Sequence, residues 1–243
     1  MSPLFWLRNS CSKDKPKKAD KFILTLQEQI KAWRKANRKM GWNISQDEFE
    51  RQDILPSLTD GNTNQGFVGI ALFYGFGDDR SGNSDTILSS KLAWDYGSKR
   101  RKGKTWQCEY IDFDKSEDIR LRPGAPPRPK GFYYARLQLG RHFVNLTVSQ
   151  IRKKLGTVTG WGPEGFQFLT ITHTHFAYLM TERKIPFMAL ADYDVAPYGF
   201  NDFYDAPQIF CSNNVLGLGI GNVDRNYPLF GIPTLQLCSE TKE

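Results

Sequence analysis

Two aspartates, Asp192 and Asp194, follow an apolar run at 185–191 and precede the turn-forming sequence Pro197-Tyr198-Gly199. Side chains two residues apart on an extended segment point to the same side, so the two carboxylates could share one Mg²⁺. Carboxylates that lie close together repel each other unless a cation compensates their charge. The pattern predicts a magnesium site at the end of a buried strand; the alternative is that the aspartates only cap a turn.

The surrounding segment, residues 168–203, resembles the Toprim core of the A subunit of type IIB DNA topoisomerases and of their relatives that make meiotic double-strand breaks. The resemblance rests on "FLTITHTHFAYLM", "IPFMALADYD" and "PYGFNDF". These match an apolar strand, a short helix, a second strand ending in Asp-x-Asp, and a Pro-Tyr-Gly turn. The resemblance implies Mg²⁺ at Asp192 and Asp194, in a protein that acts on duplex DNA and that could need a second protein subunit.

A tyrosine pair in "KGFYYARLQL" resembles the pair of the same family in which one tyrosine attacks the phosphodiester. The implied nucleophile is Tyr133 or Tyr134, most simply Tyr134, because a tyrosine can form a covalent phosphodiester intermediate. The chain departs from the family by the Val195-Ala196 insertion before Pro-Tyr-Gly. The acidic residue expected at the end of an earlier strand has only Glu164 and Glu109 as candidates.

Two histidines, His173 and His175, indicate a competing site. If residues 166–180 form one long strand, both imidazoles project from the same face. A carboxylate of Asp192 or Asp194 would complete a two-His-one-carboxylate set that binds Fe²⁺ or Zn²⁺. The alternative is that the histidines only form hydrogen bonds at a strand end.

Basic residues outnumber acidic ones in this chain of 243 residues, with 33 Lys and Arg against 26 Asp and Glu and a formal net charge of +7. The excess favours polyanionic partners, and DNA first among them. We expect the DNA backbone to be contacted by the densest basic run, Lys99, Arg100, Arg101 and Lys102; the alternative is a solvated turn. A predicted N-terminal helix has a second basic face, formed by Lys31, Arg34, Lys35, Arg38 and Lys39.

The remaining composition points to an intracellular protein, cytoplasmic or located with the nucleic acid of a nucleus or nucleoid. The four cysteines lie far apart without a C-x-x-C pair, which disfavours a disulfide framework and a cysteine-ligated zinc. No run has the length of a signal-peptide core or of a membrane span. A third interpretation needs no chemistry at all: a basic binding or scaffold protein.

Composition and periodicity predict a flexible basic tail at 1–19, a helical arm at 20–56 and one core domain at 57–243. The expected fold is mixed α/β with a Toprim-like strand-helix-strand unit; a mostly-β sandwich or barrel is the alternative. The predicted sheet segments lie near residues 67, 106, 132, 166, 186, 208, 216 and 229.

Local signals place several elements. A helix should begin with Asp20 as its N-cap and end at Gly41, and Ser45 with Glu48 fits the capping box of a second helix. "NLTVSQIRKKLG" has the apolar spacing of a short helix, with Gly156 closing it. "FQFLTI", at 166–171, has the composition of a strand.

Overall fold

The computed structural model describes residues 24–52, 69–75, 84–102, 104–114, 118–155, 159–171, 187–197, 202–212, 215–227 and 230–238. The α-helices within these ranges are α1 (Leu26–Met40), α2 (Gln46–Arg51), α3 (Ser84–Arg100), α4 (Val148–Lys154) and α5 (Pro163–Ile171), and a short 3₁₀ helix spans Arg141–Phe143. The strands are β1 (Gly69–Gly75), β2 (Thr105–Gln107), β3 (Ile119–Leu121), β4 (Gly131–Gln138), β5 (Thr159–Gly160), β6 (Phe187–Ala189), β7 (Tyr193–Val195), β8 (Asp205–Ser212), β9 (Val215–Asn222), β10 (Phe230–Gly231) and β11 (Thr234–Leu237). Across these ranges we find no helix that combines the length and the apolar character needed to cross a membrane.

The strands form two sheets. The smaller sheet has the order β1-β4-β11-β5 and is antiparallel throughout. The larger sheet has seven strands, in which β9 occupies one edge of β8 and β2 lies outside β9. Its parallel pairs are β10 with β6 and β2 with β9. The prediction of a mixed α/β fold is therefore confirmed, in preference to a mostly-β one.

The N-terminal helices belong to the main core. Ile30 and Trp33 of α1 and Phe49 of α2 are buried in the same cluster as Phe73 of β1 and Tyr133 of β4. The apolar spacing of α1 thus docks the helix against the smaller sheet, because its hydrophobic stripe faces β1. The tail at 1–19 lies outside the described residues.

Side chains from two helices complete the outer edge of β1. Gln29 of α1 accepts a hydrogen bond from the Leu72 amide (2.8 Å) and donates to the Ile70 carbonyl (3.1 Å). Gln167 of α5 does the same for Tyr74, accepting from its amide (3.0 Å) and donating to its carbonyl (2.8 Å). These side-chain amides pair with backbone groups of Ile70, Leu72 and Tyr74 on the edge of β1 beyond which no described strand lies.

Two predicted elements differ from the observed ones. Residues 166–171 are not a strand: they form the last two-thirds of α5, each of whose residues is buried. A helix buried on every side shows no amphipathic period, so its composition resembles that of a buried strand. The helix predicted from Asp20 begins instead at Leu26, because Thr25 and Glu28 form a capping box that satisfies the first backbone donors. Asp20 itself lies outside the described residues.

The other local predictions are confirmed. Gly41 ends α1 in a left-handed conformation, with φ of 66°. Ser45 and Glu48 form the predicted capping box of α2. The short helix predicted in "NLTVSQIRKKLG" contains α4, and every predicted sheet segment except the one near 166 contains a strand.

The two aspartates lie at the bend between strands β6 and β7. Strand β9 pairs with β8 along the whole of one edge, so β6 and β7 must share the other edge of β8. A turn in which the Tyr193 amide donates to the Leu190 carbonyl (3.1 Å) separates them. Asp192 lies in this turn and Asp194 in β7. The alternation expected for a straight strand therefore does not apply across the pair.

Candidate functional site

Asp192 is held by two arginines. It is fully buried, and its Oδ1 accepts from Nη2 of Arg122 (3.2 Å) while its Oδ2 accepts from Nη2 of Arg128 (2.9 Å). Both arginines come from the proline-rich connector between β3 and β4. The Arg122 amide also donates to the Asp192 carbonyl (2.9 Å), which fixes the connector against the turn.

Arg128 links Asp192 to a second buried carboxylate, Glu164, in the first turn of α5. Nε of Arg128 donates to Oε1 of Glu164 (2.6 Å) and Nη2 to Oε2 (3.2 Å), while Nη2 also reaches the Gly160 carbonyl (3.0 Å). The Tyr133 hydroxyl donates to Oε1 of Glu164 (2.6 Å), and the Gly162 amide donates to Oε2 (3.0 Å). Glu164 therefore accepts bonds from three separate parts of the chain.

Asp194 has its own arginine, Arg152 of α4, with 2.8 Å between Nη2 and Oδ1. Arg152 also donates from Nε to the Ala191 carbonyl (2.7 Å) and from Nη2 to the Tyr193 carbonyl (2.9 Å). These bonds clamp α4 onto the bend between β6 and β7. We call Arg122, Arg128, Arg152, Glu164, Asp192 and Asp194 the buried ionic network.

Contacts within the network stabilise the charged forms of Glu164 and Arg128. Burial opposes ionisation of Glu164, but Arg128 and the donated hydrogen bonds hold the pKa of this carboxyl below its ordinary value. Burial likewise opposes the charge of Arg128, whereas Glu164 and Asp192 raise the pKa of its guanidinium. Burial and the neighbouring Glu164 raise the pKa of the Tyr133 phenol well above its ordinary value. Tyr133 therefore remains protonated at neutral pH and donates to Glu164.

Guanidinium groups lie beside both aspartates, where the predicted magnesium ion would bind. Three carboxylates meet three guanidinium groups, so the charge of Asp192 and Asp194 is already compensated within the protein. Both carboxylate oxygens of Asp192 accept from arginines, so a divalent cation there would have to displace a guanidinium group and then lie beside it. Among the described residues no three His, Cys, Asp or Glu side chains are grouped to hold a metal ion. His173 and His175, predicted for Fe²⁺ or Zn²⁺, lie outside the described residues.

The two tyrosines of the predicted nucleophile pair point to opposite faces of β4. Tyr133 contacts the buried ionic network, whereas the Tyr134 hydroxyl donates to Oε1 of Gln52 (2.8 Å). Both side chains are buried, at 6% and 7% exposed respectively. Of the two acidic candidates, the structure brings Glu164 to Asp192, and Glu109 is exposed.

A second candidate site lies on the surface, where the C-terminal ends of α1 and α3 meet. Nζ of Lys99, in the last turn of α3, is 3.8 Å from Sδ of Met40, the last residue of α1. This contact brings together two basic segments that are about sixty residues apart in sequence. Five exposed basic side chains lie on or just beyond these two helix ends, and we call them the basic surface: Lys35, Arg38, Lys39, Lys99 and Lys102.

Among the described residues, the positive charges of the basic surface are not neutralised by ion pairs. No carboxylate of the described residues forms an ion pair with any of its five members. The other two residues of the predicted run point inward. Arg100 donates from Nη1 to the carbonyls of Leu169 (2.9 Å) and Thr170 (3.2 Å), and burial lowers the pKa of the Arg101 guanidinium.

Sequence reasoning missed the three arginines of the buried ionic network. Arg122 and Arg128 belong to "RLRPGAPPRPKG", whose prolines indicate only an extended connector, and Arg152 lies on the polar side of a short helix. Arg128 and Arg122 bind Asp192 across 64 and 70 residues of sequence. Arg152 reaches Asp194 only because α4 docks against the bend. The only local feature of the sequence that points to these arginines is the number of basic residues in the connector.

Comparisons of the chain with protein-family models, with curated proteins and with solved structures give no match.

Proposed function

We propose that the protein binds nucleic acid, with DNA as the expected partner, through the basic surface at the C-terminal ends of α1 and α3. The observation that carries this proposal is the contact between Lys99 and Met40, which brings the basic C-terminal ends of α1 and α3 together. Lysine and arginine bind phosphates by charge and release condensed counterions, which drives binding without reading sequence.

The fold holds the two helix ends in place. Arg100 anchors the last turn of α3 to the carbonyls at the end of α5, and its guanidinium lies 5.7 Å from the centre of the Tyr96 ring. The Asn37 side chain bonds the Ile44 amide (3.1 Å) and carbonyl (2.9 Å) just beyond α1. Lys99 and Lys39 are thus presented from anchored turns, which limits the entropy lost when they contact phosphate.

The buried ionic network supports this function by stabilising the fold. It ties the connector, α4 and α5 to the bend that carries Asp192 and Asp194. Its groups are buried and mutually compensated, so no chemical step is assigned to them. The magnesium site and the Tyr134 nucleophile remain predictions that the described contacts do not favour.

The proposal is tested by fluorescence anisotropy with a labelled DNA duplex and with the matching single strand. The variant K39Q/K99Q/K102Q removes three charges of the basic surface, and K130Q/K153Q/K154Q removes three exposed lysines elsewhere. If all three contact phosphates, the first variant binds on the order of a hundredfold more weakly at about 0.1 M salt. The second variant should bind like the wild type. Equal losses in both variants, or none in the first, contradict the proposal.

A further inference from the structure

Five aromatic side chains cross the larger sheet in a single row. They are Trp106 of β2, Phe210 of β8, Phe187 of β6, Phe230 of β10 and the nearby Tyr227. Successive ring centres are 5.8, 5.7, 5.1 and 5.7 Å apart along this order. We call them the aromatic row. Trp106 is 50% exposed and the other four rings are half-buried, so the row is accessible along one face of the sheet.

Glycines of β9 make the row possible. A Cβ at Gly217 would lie 2.3 Å from the Phe210 ring, and a Cβ at Gly219 would lie 3.1 Å from the same ring. Because β9 places no side chain between them, Trp106 of β2 and Phe210 of β8 come into contact across it. Larger residues at these two positions of β9 would fill this space with their own side chains. The glycines instead leave a broad aromatic surface.

The same face of the sheet is covered elsewhere by small residues and a helix. Ala189 of β6 and Ala206 of β8 pack with Val148 and Ile151 of α4. The large rings therefore begin where the helix-covered part of the face ends. Apolar surface of this kind, when it stays exposed, marks an interaction site.

Basic residues flank the row at its Trp106 end. Lys104 is exposed, and its carbonyl accepts from the Leu216 amide of β9 (3.1 Å). Lys102, a member of the basic surface, is four residues from Trp106, so their Cα atoms are at most about 14 Å apart. The exposed Glu109 lies beyond the other end of β2. This charge order fits a polyanion whose phosphates lie toward Lys102 and Lys104.

We infer that the protein binds single-stranded nucleic acid, with bases stacked on the aromatic row from Trp106 inward and phosphates held by the basic surface. This inference rests on the proposed function and adds the strand type that the site selects. Aromatic rings beside a basic track bind single strands without sequence preference, because every base has a face that can stack. A duplex keeps its base faces covered, so only an unpaired strand can use both features.

The test compares two labelled strands of about 12 nucleotides, one of oligothymidine and one of abasic sites with the same phosphates. The wild type should bind oligothymidine more tightly than the abasic strand and more tightly than a duplex. W106L keeps apolar bulk without a ring, and it should weaken oligothymidine binding about fivefold or more, the loss of one stacked base. W106F should lose less, and binding of the abasic strand and the duplex should not change.

Y204L is the matched control, because Tyr204 is 60% exposed and lies outside the row; it should bind like the wild type. If W106L and Y204L both bind oligothymidine like the wild type, or if the wild type does not distinguish the abasic strand, the inference is overturned. The wild-type comparison of the two strands decides the matter even if W106L fails to fold. If K39Q/K99Q/K102Q binds every strand like the wild type, the proposed function itself fails, whatever Trp106 does.

Discussion

Replacing Arg128 by methionine should strongly lower the free energy of unfolding. The Arg128 side chain is 8% exposed, and it bonds two carboxylates that are fully buried. Without it, Glu164 keeps only Tyr133 and Gly162 as partners, and Asp192 keeps Arg122. Removing one member of a buried ion pair costs about 3–5 kcal/mol, because the other charge stays buried without compensation.

Urea unfolding at neutral pH measures this loss directly. A typical domain has about 5–15 kcal/mol of stability, so R128M should remove a large part of it. In a chain of this size each kcal/mol shifts the Tm by about 2–4 °C, which places the R128M shift at about 6–20 °C. The control is K130M, an exposed residue of the same connector, which should stay within about 0.5 kcal/mol of the wild type.

A double-mutant cycle separates the ion pair from simple packing. E164Q removes one of the two charges that R128M leaves uncompensated, so R128M/E164Q should lose less than the sum of the single variants. A coupling energy of about 0.5–3 kcal/mol is expected for residues in one network. An R128M loss below about 1 kcal/mol, or additive single effects, would refute the assignment of Arg128 as the buried partner of both carboxylates.

Three further results are expected. Q29L should cost about 1–3 kcal/mol in urea unfolding, because the buried Leu72 amide loses its acceptor; a neutral result contradicts edge completion by Gln29. The pKa of Glu164 is lowered in the folded protein, so its contribution is present above the ordinary value of 4.5 and is lost as pH falls through the lowered pKa. E164Q should accordingly remove part of the stability loss that occurs as pH falls below 4.5, and an unchanged profile contradicts this. Mg²⁺ should leave the Tm unchanged, because a ligand raises the Tm only of a protein to which it binds. A Tm that rises with Mg²⁺ in the wild type but not in D194N would support the magnesium site instead.

Local signals were sufficient where a few neighbouring residues determine an element. The box formed by Ser45 and Glu48 starts α2, and Gly41 supplies the left-handed residue that ends α1. The strands β1 and β4 follow from aromatic and branched side chains between turn residues. These features need no knowledge of distant contacts.

Helix α5 shows where local signals end. Every residue from Pro163 to Ile171 is buried, so no polar face marks the helical period. Pro163 and Glu164 are a favourable first turn for a helix, but their glycine neighbours indicate a loop just as well. The helix is selected by tertiary contacts, among them the bonds of Gln167 to β1 and the ion pair of Glu164 with Arg128.

The sequence predicts only part of the site. The aspartates and the basic run stood out by residue type and spacing. Their partners did not, because Arg122, Arg128 and Arg152 reach them only through the folded arrangement of the connector and α4. The cations that the described contacts place beside the two aspartates are guanidinium groups, and the magnesium site stays a prediction.

The most direct test of nucleic-acid binding by the basic surface is the salt dependence of the affinity. The logarithm of the association constant is measured against the logarithm of salt concentration for the wild type and for K39Q/K99Q/K102Q, with single-stranded DNA. If the three lysines contact phosphates, the wild-type slope is steeper by about 2, since each contact to a single strand contributes about 0.7. Parallel lines for the two proteins would contradict the account, because they would place the bound phosphates elsewhere.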